Sequence, residues 1–398
     1  MTPTPSTEAS PTLAHGMGAD LTAPDWPPLT LAEVQALAPR YRALQGPLRL
    51  LWHSPRPFSA AARVQTAQGE VFVKRHDSRV RDLAGLHEEH RYIAHLRERG
   101  LGVPQVLDNI ERGSATALGG RTYEVHASVP GIDAYRDIHS WIPVRDAGDA
   151  RALGGALARL HLAARGYAAP ARPPRPLLAG IDIVGSPDLD GAVRRYVGQR
   201  PALARYLDGC GGVVPLVELL QTVHPRLARL LPALEPLWVH NDWHASNLFW
   251  SDGGAQREVT AAIDFGLCNR GWAVADLATA LERNTVAWLE AGPLGSGAAA
   301  RAPIGRVPLA LALLDGYCAL RPLSAAETLA LPLLLSLAHV EYALSEADYF
   351  HGVLGNDDNA RLAYPAFLAG HIAWFAGEPG RAYVDALRAH LGSGATQG

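Results

Sequence analysis

The apolar pattern of this chain changes period once, and that change limits the folds open to it. Up to residue 131 the apolar residues fall mainly in short, alternating, strand-like runs. These are LRLLWHS (Leu48 to Ser54), AARVQTA (Ala61 to Ala67), EVFVKRH (Glu70 to His76), GVPQVLDNI (102–110) and TYEVHASVPG (122–131). Gln68-Gly69 offers a tight turn between the second and third. One helical stretch, Leu29 to Arg42, precedes the runs, and another, Asp82 to Gly100, interrupts them after the third. Beyond Pro143 the period becomes helical: Arg145 to Ala164, Leu189 to Leu207, Val214 to Leu234, and most of the chain from Val274. The expectation is an α+β protein with a small five-stranded antiparallel sheet carrying one inserted helix, an extended connector at Val129–Gly131, and a large helical part.

The bulk properties narrow the function classes. The 398 residues carry 48% hydrophobic and 19% charged side chains with a net charge of −3, so no basic stripe points to nucleic acid. Cys210, Cys268 and Cys318 are odd in number and widely spaced, which indicates neither a disulfide framework nor a thiolate zinc site and fits a reducing cytoplasm. Residues 1–28 are rich in Thr, Pro, Ser and Ala without arginine, and read as a disordered leader. The most apolar segment, Leu329 to Ala338, is too short to span a membrane and contains Pro332, so it reads as a buried helix.

Two features carry chemistry. His240-Asn241-Asp242-Trp243-His244-Ala245-Ser246-Asn247 is a dense polar run between the apolar triplets Leu237–Val239 and Leu248–Trp250. Polar groups placed there need partners, because burying them unpaired is costly. A further acid ends another apolar run in Ile263-Asp264-Phe265-Gly266. The second feature is Lys74, the chain's only lysine, near the end of the third strand. Every other member of the 36 Lys and Arg is arginine. A lone ammonium on a flexible stem suits a phosphate oxygen as a point charge, where arginine offers a planar fork; the other reading is a solvated residue spared by codon drift.

His240-x-Asp242-x4-Asn247 followed by Asp264-Phe265-Gly266 resembles the catalytic loop and metal-binding triplet of the protein-kinase-like phosphotransferases. The form HNDWHASN, with Asp276-Leu277-Ala278 downstream, is similar to that of the aminoglycoside phosphotransferases, choline kinases and related small-molecule kinases. The resemblance implies a two-lobe fold, with a nucleotide lobe at 29–128, a hinge near 124–131, a catalytic helical lobe at 132–392 and a tail at 393–398. It implies ATP and Mg²⁺ as cofactors, with Asp242 accepting the substrate hydroxyl's proton and Asn247 and Asp264 as oxygen ligands to the metal. Lys74 would contact the phosphates and be held by Glu89, with the adjacent Glu88 as the alternative. Backbone groups of Glu124 and His126 would face the adenine. Ser54 or Ser59, in the glycine-free segment between the first two strands, would donate to phosphate. His240 is placed with the catalytic residues, its expected part being to fix the loop; Asp276 would cap the helix after it or bond to the loop. His240 and His244 stand four apart as in some zinc helices, but no glutamate follows His240.

The acceptor implied is a hydroxyl of a small molecule: an amino alcohol, a sugar or an aminoglycoside. Glu341, Glu346, Asp348, Asp357 and Asp358 make residues 339–360 acidic, which suits a cationic substrate, or else forms a solvated helix face. Two other readings compete. A protein kinase lacks support because no Ala-Pro-Glu segment follows Asp264, and a non-catalytic nucleotide-binding regulator is at odds with Lys74, Asp242, Asn247 and Asp264 all being present.

Overall fold

The computed structural model describes residues 13–18, 20–253, 257–289 and 303–394. A two-stranded ribbon, β1 (Ala14–His15) and β2 (Leu21–Thr22), opens the chain. Helix α1 (Leu31–Leu37) follows, started by a capping box in which Thr30 and Glu33 satisfy each other's backbone amides. Strands β3 (Arg49–His53), β4 (Ala60–Thr66) and β5 (Gly69–Asp77), helix α2 (Leu83–Glu98), and strands β6 (Thr116–Leu118) and β7 (Arg121–Ala127) complete the sheet, ordered β3-β4-β5-β7-β6 and antiparallel throughout. One face packs on α1: Leu29, Val34, Leu37, Tyr41 and Leu44 meet Val64, Val71, Val73 and Val125 in a dry cluster. Because side chains alternate along a strand, Phe72, Lys74 and His76 then project from the opposite face.

Two sequence expectations change here. The fifth strand is Thr116–Leu118, not residues 102–110. Pro104 has no N–H to give a ladder, and Val106 makes only a single bridge to His126. Within the supposed leader, residues 13–18 and 20–28 pack on the rest of the protein: His15 N donates to Pro55 O, Arg75 is bonded to Pro27 O and Glu33, and Tyr349 donates to Asp25 at 3.0 Å. Its composition looked disordered because these bonds are all long-range. Residues 1–12 and 395–398 lie outside the described residues; the expected tail otherwise continues the last helix to 394.

The helical part holds α3 (Ala147–Ala164), α4 (Leu189–Gly198), α5 (Pro201–Gly209), α6 (Val214–Gln221) and α7 (His224–Ala228). The expected single helix over 189–207 is broken at Pro201, which lacks the amide needed to continue it. Two small ribbons follow, β8 (Pro236–Val239) with β11 (Asn269–Trp272) and β9 (Leu248–Trp250) with β10 (Val259–Ala262). Then come α8 (Ala273–Thr285), α9 (Val307–Cys318), α10 (Ala325–Leu337), α11 (Val340–Tyr349), α12 (Asp357–Arg361), α13 (Leu368–Ala376) and α14 (Glu378–Gly394). Gly154 of α3 and Gly316 of α9 let these helices cross closely: a Cβ at either would sit 2.0 Å from a carbonyl oxygen of the other. Residues 325–354 include a window apolar enough to cross a membrane by composition, and 72% of it is buried inside the protein, as a core helix would be.

Candidate active site

The loop from His240 to Asn247 joins β8 to β9, and Asp264 stands just past β10, so the two ribbons deliver both polar motifs to one edge. Helix α8 braces the loop from below. Asp276 accepts from the backbone amides of His240 and Asn241, each at 2.9 Å, and from His161 at 3.1 Å. Asn284, two turns on, accepts from Ala245 N and donates to Trp243 O. Asp276 therefore does not cap: α8 begins at Ala273, and Asp276 lies within its first turn with its carboxylate spent on the loop. Asn241 takes a left-handed conformation, φ 63°, which asparagine tolerates. His240 is fully buried; its Nδ1 accepts from Asp242 N and its Nε2 donates to Ile263 O. It ties the loop to the Asp264 strand and presents nothing to the cleft, so it is a positioning residue and not a chemical one.

Asp242 lies at the centre. Asn247 donates to its Oδ2 at 3.1 Å, Arg283 stands 3.1 Å from Oδ1, and His244 Nε2 is 3.4 Å from Oδ2. Burial would raise its pKa, but the neighbouring His244 and Arg283 reverse this and hold the carboxyl well below the usual range. We assign the charge to Arg283, because burial lowers the His244 pKa to about 4 against the pull of Asp242 and leaves that ring neutral near pH 7. Arg283 was not singled out in the sequence. Its signal was its place seven residues after Asp276, two helical turns along the same face.

Lys74 reaches across from the sheet, and its Nζ lies 3.2 Å from Asp264 Oδ1. Asp264 is left-handed, φ 61°, which turns its carboxylate toward the sheet. Burial would lower the lysine pKa; Asp264, Glu124 and Glu89 together raise it, so it stays cationic. Glu89, buried on α2, shares a cavity wall with Lys74 but makes no ion pair with it among the described residues. Glu88 is excluded: it faces the other way, 2.7 Å from Arg175.

The hinge expectation also shifts. Val125 O accepts from Leu107 N and Ala127 N donates to Gln105 O, so these residues point outward from β5. Backbone groups of the alternate residues Glu124 and His126 must then face β5, where they pair with Lys74 and Phe72 in the ladder. They are not free for a purine edge. Their side chains are engaged as well: Glu124 accepts from His76, His90 and His126 at 2.7–2.9 Å. His126 still lines the cleft, and the border continues through Ala127, Ser128, Val129 and Ile132; Glu124 does not line it.

Two cavities meet at this cluster. A cleft of about 450 Å³ lies between the sheet and the side chains of Phe249 and Ile263, and Lys74, Ser59, Asn247 and Asp264 line it. Ser54 lines it too, although its hydroxyl accepts from Arg56 N. The second, about 100 Å³, extends into the helical part past Asp242, Arg283, Tyr342 and Glu346. Arg56 borders both and is close enough to feel Asp242 and Asp264; it is the one basic residue of the glycine-free segment, which the sequence reading passed over for its serines. The N-terminal ribbon roofs the smaller cavity with His15, Met17 and Asp25; His15 Nδ1 is bonded to Arg56, and His139 to Gly16 O. Of the five acids at 339–360 only Glu346 lines this cavity. Glu341 caps the amides of Gly180 and Ile183, Asp348 accepts from Leu203 N, and Asp357 and Asp358 pair on the surface with His351 and Arg361.

A sequence model of the phosphotransferase enzyme family matches residues 56–314. A homoserine kinase of Acidiphilium cryptum (strain JF-5) is 27% identical over 284 residues, 71% of this chain and 75% of that protein. A homoserine kinase of Gluconobacter oxydans (strain 621H) is 25% identical over 263 residues, 64% and 67% of the two chains. The solved structure of a microcompartment-associated aminopropanol kinase shares the fold at TM-score 0.57 and 20% identity, covering 88% of this chain and 99% of that one. With the family model spanning well over half its length, this chain belongs to the phosphotransferase enzyme family.

Proposed function

We propose that this small-molecule kinase moves the γ-phosphoryl group of ATP, with Mg²⁺, to the hydroxyl of a small amine-bearing acceptor, homoserine first among them. The observation that carries the reading is the junction of the two cavities at Arg56, Asn247 and Asp264, with Lys74 on the larger side and Asp242 on the smaller. The larger cleft suits a nucleotide lying with its base between the sheet and the side chains of Phe249 and Ile263 and its phosphates toward Lys74 and Arg56. The donor set fits a hard cation: Asp264 offers carboxylate oxygen, and Asn247 spends its NH₂ on Asp242, which leaves its amide oxygen for a metal. Mg²⁺ held there would neutralise the phosphate oxygens as charge develops.

The chain's own groups supply the rest. Asp242 is ionised and oriented by Asn247 and Arg283, so it holds the acceptor hydroxyl in line and receives its proton as the new O–P bond forms and ADP leaves. Its depressed pKa makes it a weak base before that point, so its part is chiefly orientation. Lys74 and Arg56 meet the transferred charge with two fixed cations.

Size and charge select the acceptor. A cavity of about 100 Å³ is well short of the ~300–1,000 Å³ that drug-sized ligands occupy, and the N-terminal ribbon closes its outer side. Glu346 provides a site for an ammonium group, and the guanidinium of Arg56, which lines the same cavity, provides one for a carboxylate. The named relatives at 25–27% identity point to the same acceptor class. The test is ADP release with homoserine, small amino alcohols, sugars and aminoglycosides. Turnover should be confined to the small amino-bearing acceptors; turnover with an aminoglycoside alone, or with none, rejects the reading.

A further inference from the structure

Behind the smaller cavity, three helices place Glu282 (α8), His339 (the residue before α11) and His371 (α13) together. Each is at least 96% buried, and one ligand atom from each lies within 4.8 Å of the others. The details of this group do not suit a closed hydrogen-bond network. His371 Nδ1 donates to Phe367 O at 2.8 Å, which fixes the tautomer and turns the Nε2 lone pair inward. That Nε2 lies 2.6 Å from Glu282 Oε1, yet the contact does not meet hydrogen-bond geometry and neither atom has another partner. The His339 ring makes no hydrogen bond among the described residues, and its plane lies within 10° of that of His371 with the ring centroids 4.6 Å apart. Burying a carboxylate oxygen and an imidazole nitrogen unsatisfied is expensive. A third body that both can face removes the cost.

We propose that Glu282, His339 and His371 form a binding site for a zinc-class divalent ion, separate from the Asn247/Asp264 position. Two imidazoles and a carboxylate are a donor set for borderline metals, and a backbone carbonyl accepting from the far ring nitrogen is the usual support for a ligating histidine. His339 also lines both the acceptor cavity and a smaller one beside it, which leaves a fourth position for water. The nearby cation Arg283 is turned to Asp242, so its charge is already matched. The ion would stiffen the acceptor wall, because Trp141 packs on His339 at 5.1 Å and on the Arg283 guanidinium at 3.9 Å.

The inference rests on the assigned acceptor cavity only for that last effect; metal binding itself is measured without turnover. Full-length protein is stripped with chelator and titrated with Zn²⁺ and Co²⁺ in the absence of nucleotide. One equivalent should bind, Co²⁺ should give the intense visible bands of a low-coordinate site, and Zn²⁺ should raise the melting temperature. Asp264→Ala should retain all three responses. His371→Gln and Glu282→Gln should weaken binding on the order of 100-fold. Absence of a stoichiometric Co²⁺ spectrum in the wild-type protein, or a spectrum lost with Asp264→Ala and kept with His371→Gln, overturns the proposal and leaves a Glu282–His371 ion pair in its place.

Discussion

Arg283→Gln tests whether this guanidinium sets the charge state of Asp242. The two groups are 3.1 Å apart, and their side chains are 4% and 17% exposed. At an effective dielectric of 20 their attraction is about 5 kcal/mol, equivalent to roughly 4 pKa units. Water entering the vacated volume would recover part of that, so a rise of about 2–4 units is expected. The wild-type carboxyl titrates well below the ordinary range, and kcat/KM should show no acid limb at working pH. In the variant the carboxyl should titrate closer to the ordinary carboxylate range, so an acid limb should enter the accessible pH range from below, with turnover falling as the pH falls. Stability carries the same sign. A depressed carboxyl contributes stability that is present above its unfolded pKa and lost as pH falls through the folded one. The melting-temperature gap between wild type and variant should therefore be widest near neutrality and narrow below about pH 4. A variant that stays folded, turns over, and shows an acid limb no higher than that of the wild-type protein would refute the assignment.

Asp264→Ala should abolish the Mg²⁺-dependent part of the melting-temperature rise with ATP; an unchanged rise moves the metal elsewhere. Asp242→Asn should keep nucleotide affinity and lose on the order of 10²–10⁴ in kcat, checked by ATP titration alongside ADP release. Removing residues 1–27 opens the roof over the smaller cavity, so acceptor KM should rise at least ~10-fold while ATP KM moves little, since binding loses its exclusion of water on that side alone; equal effects on both would mean a folding defect. Burial raises the Glu346 pKa to about 8, partly offset by Tyr342 and Arg283. Below that value the side chain is neutral, so KM for a cationic acceptor should fall as pH rises through 8, and Glu346→Gln should flatten the dependence.

The amino-acid sequence by itself determined the order of architecture and the reacting groups. A single change of hydrophobic period placed sheet before helices, and a lone lysine, an Asp-x4-Asn loop and an Asp-Phe-Gly turn, through their likeness to the phosphotransferases, picked out the polar groups that the fold gathers, because local pattern and motif are both written along the chain. What it left open were facts that depend on which residues meet from a distance. Thr116–Leu118 replaced residues 102–110 as the fifth strand through ladder geometry, and the backbone of Glu124 and His126 proved to face β5 through strand parity. Lys74 met Asp264, 190 residues on, where the family resemblance had implied Glu89. Arg283 and Arg56 joined the site, four of five acids left it, and a segment of disordered composition became its roof. Each is a pairing across the fold, whose energy comes from burial and long-range hydrogen bonds that no local window contains.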